Sequence, residues 1–354
     1  MNDINFYAPI NQTGYGVASI NILNSLNRLG CKITYFPIGK PAVSNQEDYD
    51  LISKSLSIEN MNPEAPCLKI WHQFDLAHRV GNGKYSAFSF FELDTFNPIE
   101  VKHMTIPNQL IVSSNWAKEV VRENGINTET HVVPLGVNRD IFNPEKITKN
   151  RTDNKYVFLT IGKWEIRKGH DILPSIFKKA FPDEQDVELW ILASTTTNSY
   201  SNEQEVLQWK KMYGADSRIK VLDGVNTHYD IAQLIANSDC GLYVSHAEGW
   251  NLELLETMSM NKPTIATNYS AHTEFCTPNN CFLIDITDKE KAFDGKAFVG
   301  QGYWAKIDQK QIDQTIEYMR HAYSAKLTEN PQGVETAKEF SWENSAKKLL
   351  GCIY

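Results

Sequence analysis

The sequence predicts an α/β protein made of two doubly wound domains, and three observations carry that reading. Short apolar runs alternate with segments of helical periodicity through most of the chain, an order that pairs strands in parallel and puts helices on the crossovers. The chain has 354 residues, more than one hydrophobic core usually serves, which fits two domains of roughly 150–200 residues each. A stretch rich in proline, glycine and asparagine, 134–154, interrupts the alternation midway and reads as a linker.

The elements follow in order. An apolar run at 4–8 reads as the first strand and 11–16 as a glycine-bearing turn. Val17, Ile20, Leu23, Leu26 and Leu29 then recur at helical spacing, and Gly30 closes the helix. Further strands are expected at 31–36, 67–71, 86–91, 110–113 and 130–133. Beyond the linker a second series gives strands at 156–161, 188–192, 219–222, 239–244 and 264–267, with helices over 170–180, 203–213, 228–237 and 252–260. Helices near 309–325 and 341–352 finish the chain. Domains are therefore drawn at 1–150 and 151–335, with a terminal helix at 336–354 that crosses back towards the first. Parallel sheets bind ligands beyond the C-terminal ends of their strands, so the cleft between two such domains is the expected site.

Composition narrows the function. Hydrophobic residues make up 42% and aromatics 11%, the values of an ordinary folded chain. With 35 Lys and Arg against 43 Asp and Glu, the net charge is −8, and neither the first 150 residues nor the remainder is basic. That balance argues against a dedicated nucleic-acid binder. No run approaches 18 uninterrupted apolar residues and the N-terminus lacks a basic, then apolar, leader, so a cytoplasmic protein is expected. The first helix has no basic amphipathic face, which leaves at most peripheral membrane contact. Six cysteines lie scattered without a Cys-x-x-Cys pair and read as reduced thiols rather than metal ligands.

The chemistry concentrates in 245–258. The stretch follows an apolar strand, and Asn251 suits the N-cap of the next helix. The first N–H groups of that helix carry the positive end of its macrodipole and suit a phosphate. Gly249 permits close approach to the backbone. Glu248 precedes the helix and Glu256 lies about a turn inside it. Two carboxylates flanking a phosphate site can accept hydroxyls from both ends of a nucleotide sugar, although solvated glutamates at a helix start would look the same. After the strand at 156–161, Lys163, Arg167 and Lys168 flank a bend. Both lysines are expected to converge on one diphosphate, with Arg167 adding a bidentate contact, so that a leaving group is neutralised without a metal.

The whole string resembles family 4 of the retaining glycosyltransferases (glycosyl transferases group 1), which have the GT-B fold. Members carry a Glu, seven residues and a second Glu, here Glu248 and Glu256, followed by a proline and a strand, here Pro263 and 264–267. The segment 162–169, the stretch Gly224-Val225 with Ser238-Asp239, the linker Pro134-Leu135-Gly136-Val137-Asn138, and Phe340-Ser341-Trp342 agree as well. The resemblance is specific from about residue 110 onwards. It implies that Glu248 holds hydroxyls of the donor sugar, that Glu256 holds the ribose hydroxyls, and that the backbone at Gly249, Trp250, Asn251 and Leu252 lies at the donor. It further implies a retaining hexosyltransferase that needs no metal or other cofactor, with a nucleotide-sugar donor and a saccharide or glycoconjugate acceptor. Departures are Glu253 in the first helical turn and Ser270-Ala271 where many members have two glycines.

For the acceptor, Gly14, Tyr15 and Gly16 precede the first helix and His72 and Glu92 end strands. Glu92 is a candidate for orienting the acceptor hydroxyl. For His72, packing and a place beside the acceptor both remain open. His246 and His272 are read as supports of the donor motif, and Asp48-Tyr49-Asp50 as a solvated polar stretch. Two rival readings stand beside transfer: an epimerase acting on nucleotide sugars, and a subunit that binds them without turnover.

Overall fold

The computed structural model describes residues 2–56, 59, 61–193, 203–214, 216–222, 224, 225 and 227–354, with only the backbone of 203–206. The chain divides into two units, Met1–Asn138 with Phe340–Tyr354, and Arg139–Glu339.

The first unit is built on six parallel strands, β1 (Asp3–Ala8), β2 (Lys32–Pro37), β3 (Cys67–Ile70), β4 (Tyr85–Ser89), β5 (Gln109–Val112) and β6 (Glu129–Val132), in the order β2-β1-β3-β4-β5-β6. β3, β4 and β5 are buried along their whole length, as strands covered by helices on both faces must be. Helices α1 (Gly14–Arg28), α2 (Gln46–Ser55), α3 (Pro98–Met104) and α4 (Asn115–Glu123) are the crossovers. α1 buries Val17, Ile20, Leu23 and Leu26, the spacing legible in the sequence, and Gly30 follows at φ +80°.

The terminal helix, Trp342–Ile353, packs on α1. Gln109 Nε2 and Lys84 Nζ donate to its Cys352 carbonyl at 2.9 and 3.1 Å, and Ser345 Oγ donates to the Pro134 carbonyl at 2.7 Å. Gly136 is required there, since a Cβ would lie 2.2 Å from the Trp342 nitrogen.

The polar stretch around Asp48 is solvated as expected, with Tyr49 and Asp50 exposed, and it is helical. Asn45 caps α2 by accepting from Asp48 N at 2.8 Å, and Asp48 in turn accepts from Asn24 Nδ2 at 2.7 Å. The sequence hid this helix because only Ile52 and Ser55 of it are buried, so its cap replaces the apolar stripe as the signal.

The second unit repeats the design with β7 (Tyr156–Ile161), β8 (Val187–Leu192), β9 (Ile219–Val221), β10 (Cys240–Tyr243), β11 (Thr264–Thr267) and β12 (Phe282–Ile284), all parallel, in the order β12-β11-β10-β7-β8-β9. α5 (Leu173–Ala180), α6 (Glu203–Tyr213), α7 (His228–Asn237), α8 (Leu252–Ser259), α9 (Gln309–Ser324) and α10 (Pro331–Glu339) accompany it. Phe158, Leu189, Leu242, Ile265 and Met319 lie in one fully buried core. An antiparallel hairpin, β13 (Lys289–Phe293) and β14 (Val299–Ala305), stands outside the sheet. α5 starts three residues later than periodicity predicts, because a tight turn over Ile166–Lys168 precedes it and Gly169 ends that turn at φ +76°.

The linker residues 139–154 go with the second unit. Asp239, buried, accepts from Val157 N, Arg151 Nη2 and Lys149 Nζ, each at 2.8 Å. Asn237 Oδ1 accepts from Asn150 N and Arg151 N. Asp239→Asn removes the negative charge and leaves the buried Arg151 side chain short of an ion pair. Chemical denaturation should report a loss of about 3 kcal/mol, and an unchanged midpoint would refute the clamp.

Candidate active site

The strand order of the second sheet reverses between β7 and β10, and ligands bind beside such a reversal. The loop after β7 is bent hard onto the end of β10. Gly169 lies at φ +76° with its Cα against Val244, whose carbonyl oxygen would be 2.2 Å from a Cβ. His246 N then donates to the Arg167 carbonyl at 2.7 Å. These two constraints bring Arg167 and Lys168 to Glu248.

Glu248 is buried. Its Oε2 accepts from Arg167 Nη1 at 2.8 Å, and its Oε1 from Lys168 Nζ at 2.8 Å and Ser245 Oγ at 2.7 Å. Arg167 is itself shared, with Nη1 on the Ala247 carbonyl at 2.8 Å and Nη2 on Glu165 Oε2 at 2.8 Å. Burial pushes the Glu248 carboxyl up, but Lys168 and Arg167 outweigh it and hold the group far below the usual carboxylate range. Glu165 follows the same pattern: burial raises it, and Arg167, Lys163 and Lys168 together bring it down. Burial lowers the Lys168 ammonium, whereas Glu248 and Glu253 more than compensate and raise it.

The structure adds a partner to the sequence reading at this point. Arg167 and Lys168 both contact Glu248, a partner the sequence reading did not foresee, because a buried carboxylate recruits the nearest cations. Lys163 stays half-buried, close enough to Glu165 to lower it.

Two residues near Glu248 adopt the left-handed backbone that favours glycine, Asn251 at φ +82° and Ser270 at φ +52°. Each uses its side chain there. Asn251 caps α8, its Oδ1 accepting from Leu254 N at 3.2 Å, and Ser270 Oγ accepts from Glu248 N at 2.8 Å. His272 Nδ1 lies 2.8 Å from the Thr267 carbonyl, so it carries the proton, and Nε2 is left to accept from Asn251 Nδ2 at 2.9 Å. Burial keeps this imidazole below its ordinary pKa and therefore neutral. Leu252, half-buried, begins α8. Gly249 and Trp250 are buried, and the Trp250 ring lies 4.9 Å from Phe275. Glu256 is buried inside α8, where burial and then the charge of Glu253 push its carboxyl well above the ordinary range. Sequence reasoning missed Glu165, Ser245 and Ser270; of these only Ser270, standing where glycines are common, left a signal.

In the first unit the strand order reverses between β1 and β3. Gly14, Tyr15 and Gly16 form the first turn of α1 instead of preceding it, because Thr13 already occupies the N-cap position. Gly16 is needed for contact, since a Cβ would meet Asn11 N at 2.3 Å. Tyr15 hydroxyl donates to the Phe90 carbonyl at 2.6 Å and accepts from Phe90 N at 2.8 Å. Its ring lies 4.4 Å from His72, which stacks on Phe74 at 5.0 Å. Glu92, half-buried, is close enough to Tyr15 to add to the effect of burial on that phenol.

Residues 155–296, which include Lys163, Arg167, Lys168, Glu248 and Glu256, match the glycosyl transferases group 1. The match lies within the second unit and takes in every charged residue of the Glu248 cluster. The MMP alpha-(1->4)-mannosyltransferase of Mycolicibacterium hassiacum is 25% identical over 175 residues, a match that spans 49% of this chain and 40% of that protein. Among solved structures, sucrose-phosphate synthase from Thermosynechococcus elongatus aligns over 99% of this chain and 98% of its own at TM-score 0.72 and 11% identity. A glycosyltransferase from Rickettsia africae aligns over 99% and 97% at 0.72 and 16%. Anabaena HepE, solved in complex with UDP-glucose, aligns over 99% of both chains at 0.70 and 15%. At these identities the likeness shows the fold, GT-B, with two Rossmann-like units. In the matched segment the two glutamates occupy opposite electrostatic settings, Glu248 among cations and Glu256 beside a second acid.

Opposite pH dependences follow. The pairing of Glu248 stabilises the fold above the unfolded pKa, near 4.5, and is lost as pH falls towards the depressed folded value. Glu256 contributes fully below the unfolded pKa, and its contribution is lost as pH rises towards the elevated folded value. Thermal melts should show Glu248→Gln destabilised at neutral pH with the gap narrowing below about pH 4.5. Glu256→Gln should melt a few degrees higher than wild type at neutral pH and lose that advantage in acid.

Proposed function

We propose that the protein transfers a hexose from a nucleotide-diphosphate sugar to a saccharide or glycoconjugate hydroxyl, with retention of configuration and without a metal. The observation that carries this reading is Glu248, held ionised at the sheet reversal by Arg167 and Lys168. A carboxylate offers about four acceptor sites. Three are filled by Arg167, Lys168 and Ser245, which leaves one for a sugar hydroxyl. The same cations, with Lys163 and the start of α8, serve the diphosphate. As the C1–O bond to the diphosphate breaks, charge develops on the leaving oxygen and Lys168 stabilises it. The acceptor oxygen bonds to C1 on the same face, and its proton passes to a leaving-phosphate oxygen. Glu256 takes the ribose hydroxyls, and Glu92 and His72 of the first unit serve the acceptor.

A donor panel read by nucleoside-diphosphate release tests this. One donor should be consumed in the presence of EDTA, and the product should keep the donor's anomeric configuration by NMR. Glu248→Ala should lower kcat/KM by about a hundredfold or more. Loss of turnover in EDTA would sink metal independence. Isomerised donor without release would favour an epimerase, and a raised Tm without turnover on any acceptor would favour a binding subunit. Because ribose hydroxyls favour the ionised form of Glu256, nucleotide binding should release protons. Calorimetry in buffers of different ionisation enthalpy should detect that release, and Glu256→Gln should abolish it.

A further inference from the structure

Among the described residues the β13–β14 hairpin pairs with no strand of the parallel sheet, and its two faces differ. Ala292 and Trp304 are buried, and Trp304 lies 5.0 Å from the His246 ring. The outer face pairs Lys291 with Tyr303 and Phe293 with Val299. Phe293 is 63% exposed, Val299 62% and Tyr303 42%, so three of the twelve large apolar side chains left exposed among the described residues share this one face.

The face is graded along its length. Phe293 and Val299 stand next to the turn; beyond a register irregularity Lys291 faces Tyr303, and Lys289 lies two residues further from the turn on the same strand, with Lys306 just after β14. Asp294, at the turn, bends inward, its Oδ1 accepting from Lys296 N at 2.8 Å and Phe298 N at 2.9 Å. Residues 289–306 hold four lysines against Glu290 and Asp294, in a chain whose net charge is −8.

We propose that this hairpin seats the protein on a bilayer surface that contains anionic phospholipid. An apolar tip, a tyrosine behind it and lysines behind that match the order of acyl boundary, headgroup and phosphate across a membrane interface. The hairpin is rooted at the donor loop. Ala305 N donates to the His246 carbonyl at 2.9 Å, and His246 Nδ1 lies 2.8 Å from the Ala305 carbonyl, two residues before Glu248. Docking here would hold the sugar-bearing loop close to lipid-linked substrates. The inference does not rest on sugar transfer and can fail without it.

Vesicle flotation of the full chain tests it, with phosphatidylcholine alone and with phosphatidylcholine mixed with phosphatidylglycerol. The protein should float with the mixed vesicles only, and added salt should release it. Removal of charge at Lys289 and Lys291 with Lys→Gln changes should weaken partitioning about fivefold per lysine, equivalent to about 1 kcal/mol each. Phe293→Ser with Val299→Ser should weaken it about tenfold or more. All four positions are exposed, and unchanged Tm values will confirm that the variants fold. Absence of flotation, equal flotation on both vesicle types, or variants that float like the wild type would overturn the proposal. So would protection of the hairpin in hydrogen exchange by a soluble oligosaccharide without lipid.

Discussion

The Glu248 carboxylate, buried between Arg167 and Lys168, is the interaction on which the second unit's chemistry depends. A lone buried charge is expensive, and two cations at 2.8 Å with a serine hydroxyl offset that cost. The arrangement is possible only because Gly169 lets the loop after β7 fold onto the end of β10, where an ordinary side chain would collide with Val244. Backbone geometry at one glycine thus decides which charges meet.

The surrounding shell holds that geometry. Asn251 and Ser270 adopt backbone conformations that cost other residues about 1 kcal/mol or more, and each recovers part of it through a side-chain hydrogen bond. His272 joins them, with its tautomer set by the Thr267 carbonyl and its second nitrogen facing Asn251. Glu248 therefore sits on a loop whose backbone nitrogen, preceding strand and following helix are each tied down. Glu256 lies in the same short segment with the opposite bias, since burial and the charge of Glu253, one turn before it, both raise its carboxyl. One sheet end thus carries one carboxyl whose pKa is held far down by cations and another whose pKa is pushed up by burial and a neighbouring acid.

Much of this was legible in the sequence. Strands at 156–161 and 264–267 and helices over 203–213 and 228–237 have the bounds that the apolar pattern predicts, because fully buried strands and amphipathic helices write their burial into composition. α2 and the β13–β14 hairpin were not legible. The helix rests on its Asn45 cap with little buried surface, and the hairpin's outer face mixes lysine with exposed aromatics. The charged residues after β7 and the two glutamates were legible, and which of them pair was not.

The sequence by itself determined the parallel α/β plan, the 248–256 spacing of two glutamates and the charges after β7. These depend on local pattern, which a linear reading captures. Only the tertiary structure decided that Arg167 and Lys168 face Glu248, that Glu165 and Ser270 complete the shell, that Gly14 to Gly16 lie within α1, and that the linker belongs with Asp239. Most of those depend on contacts between residues far apart in sequence, fixed by strand order and by the few places where a glycine allows two backbones to meet.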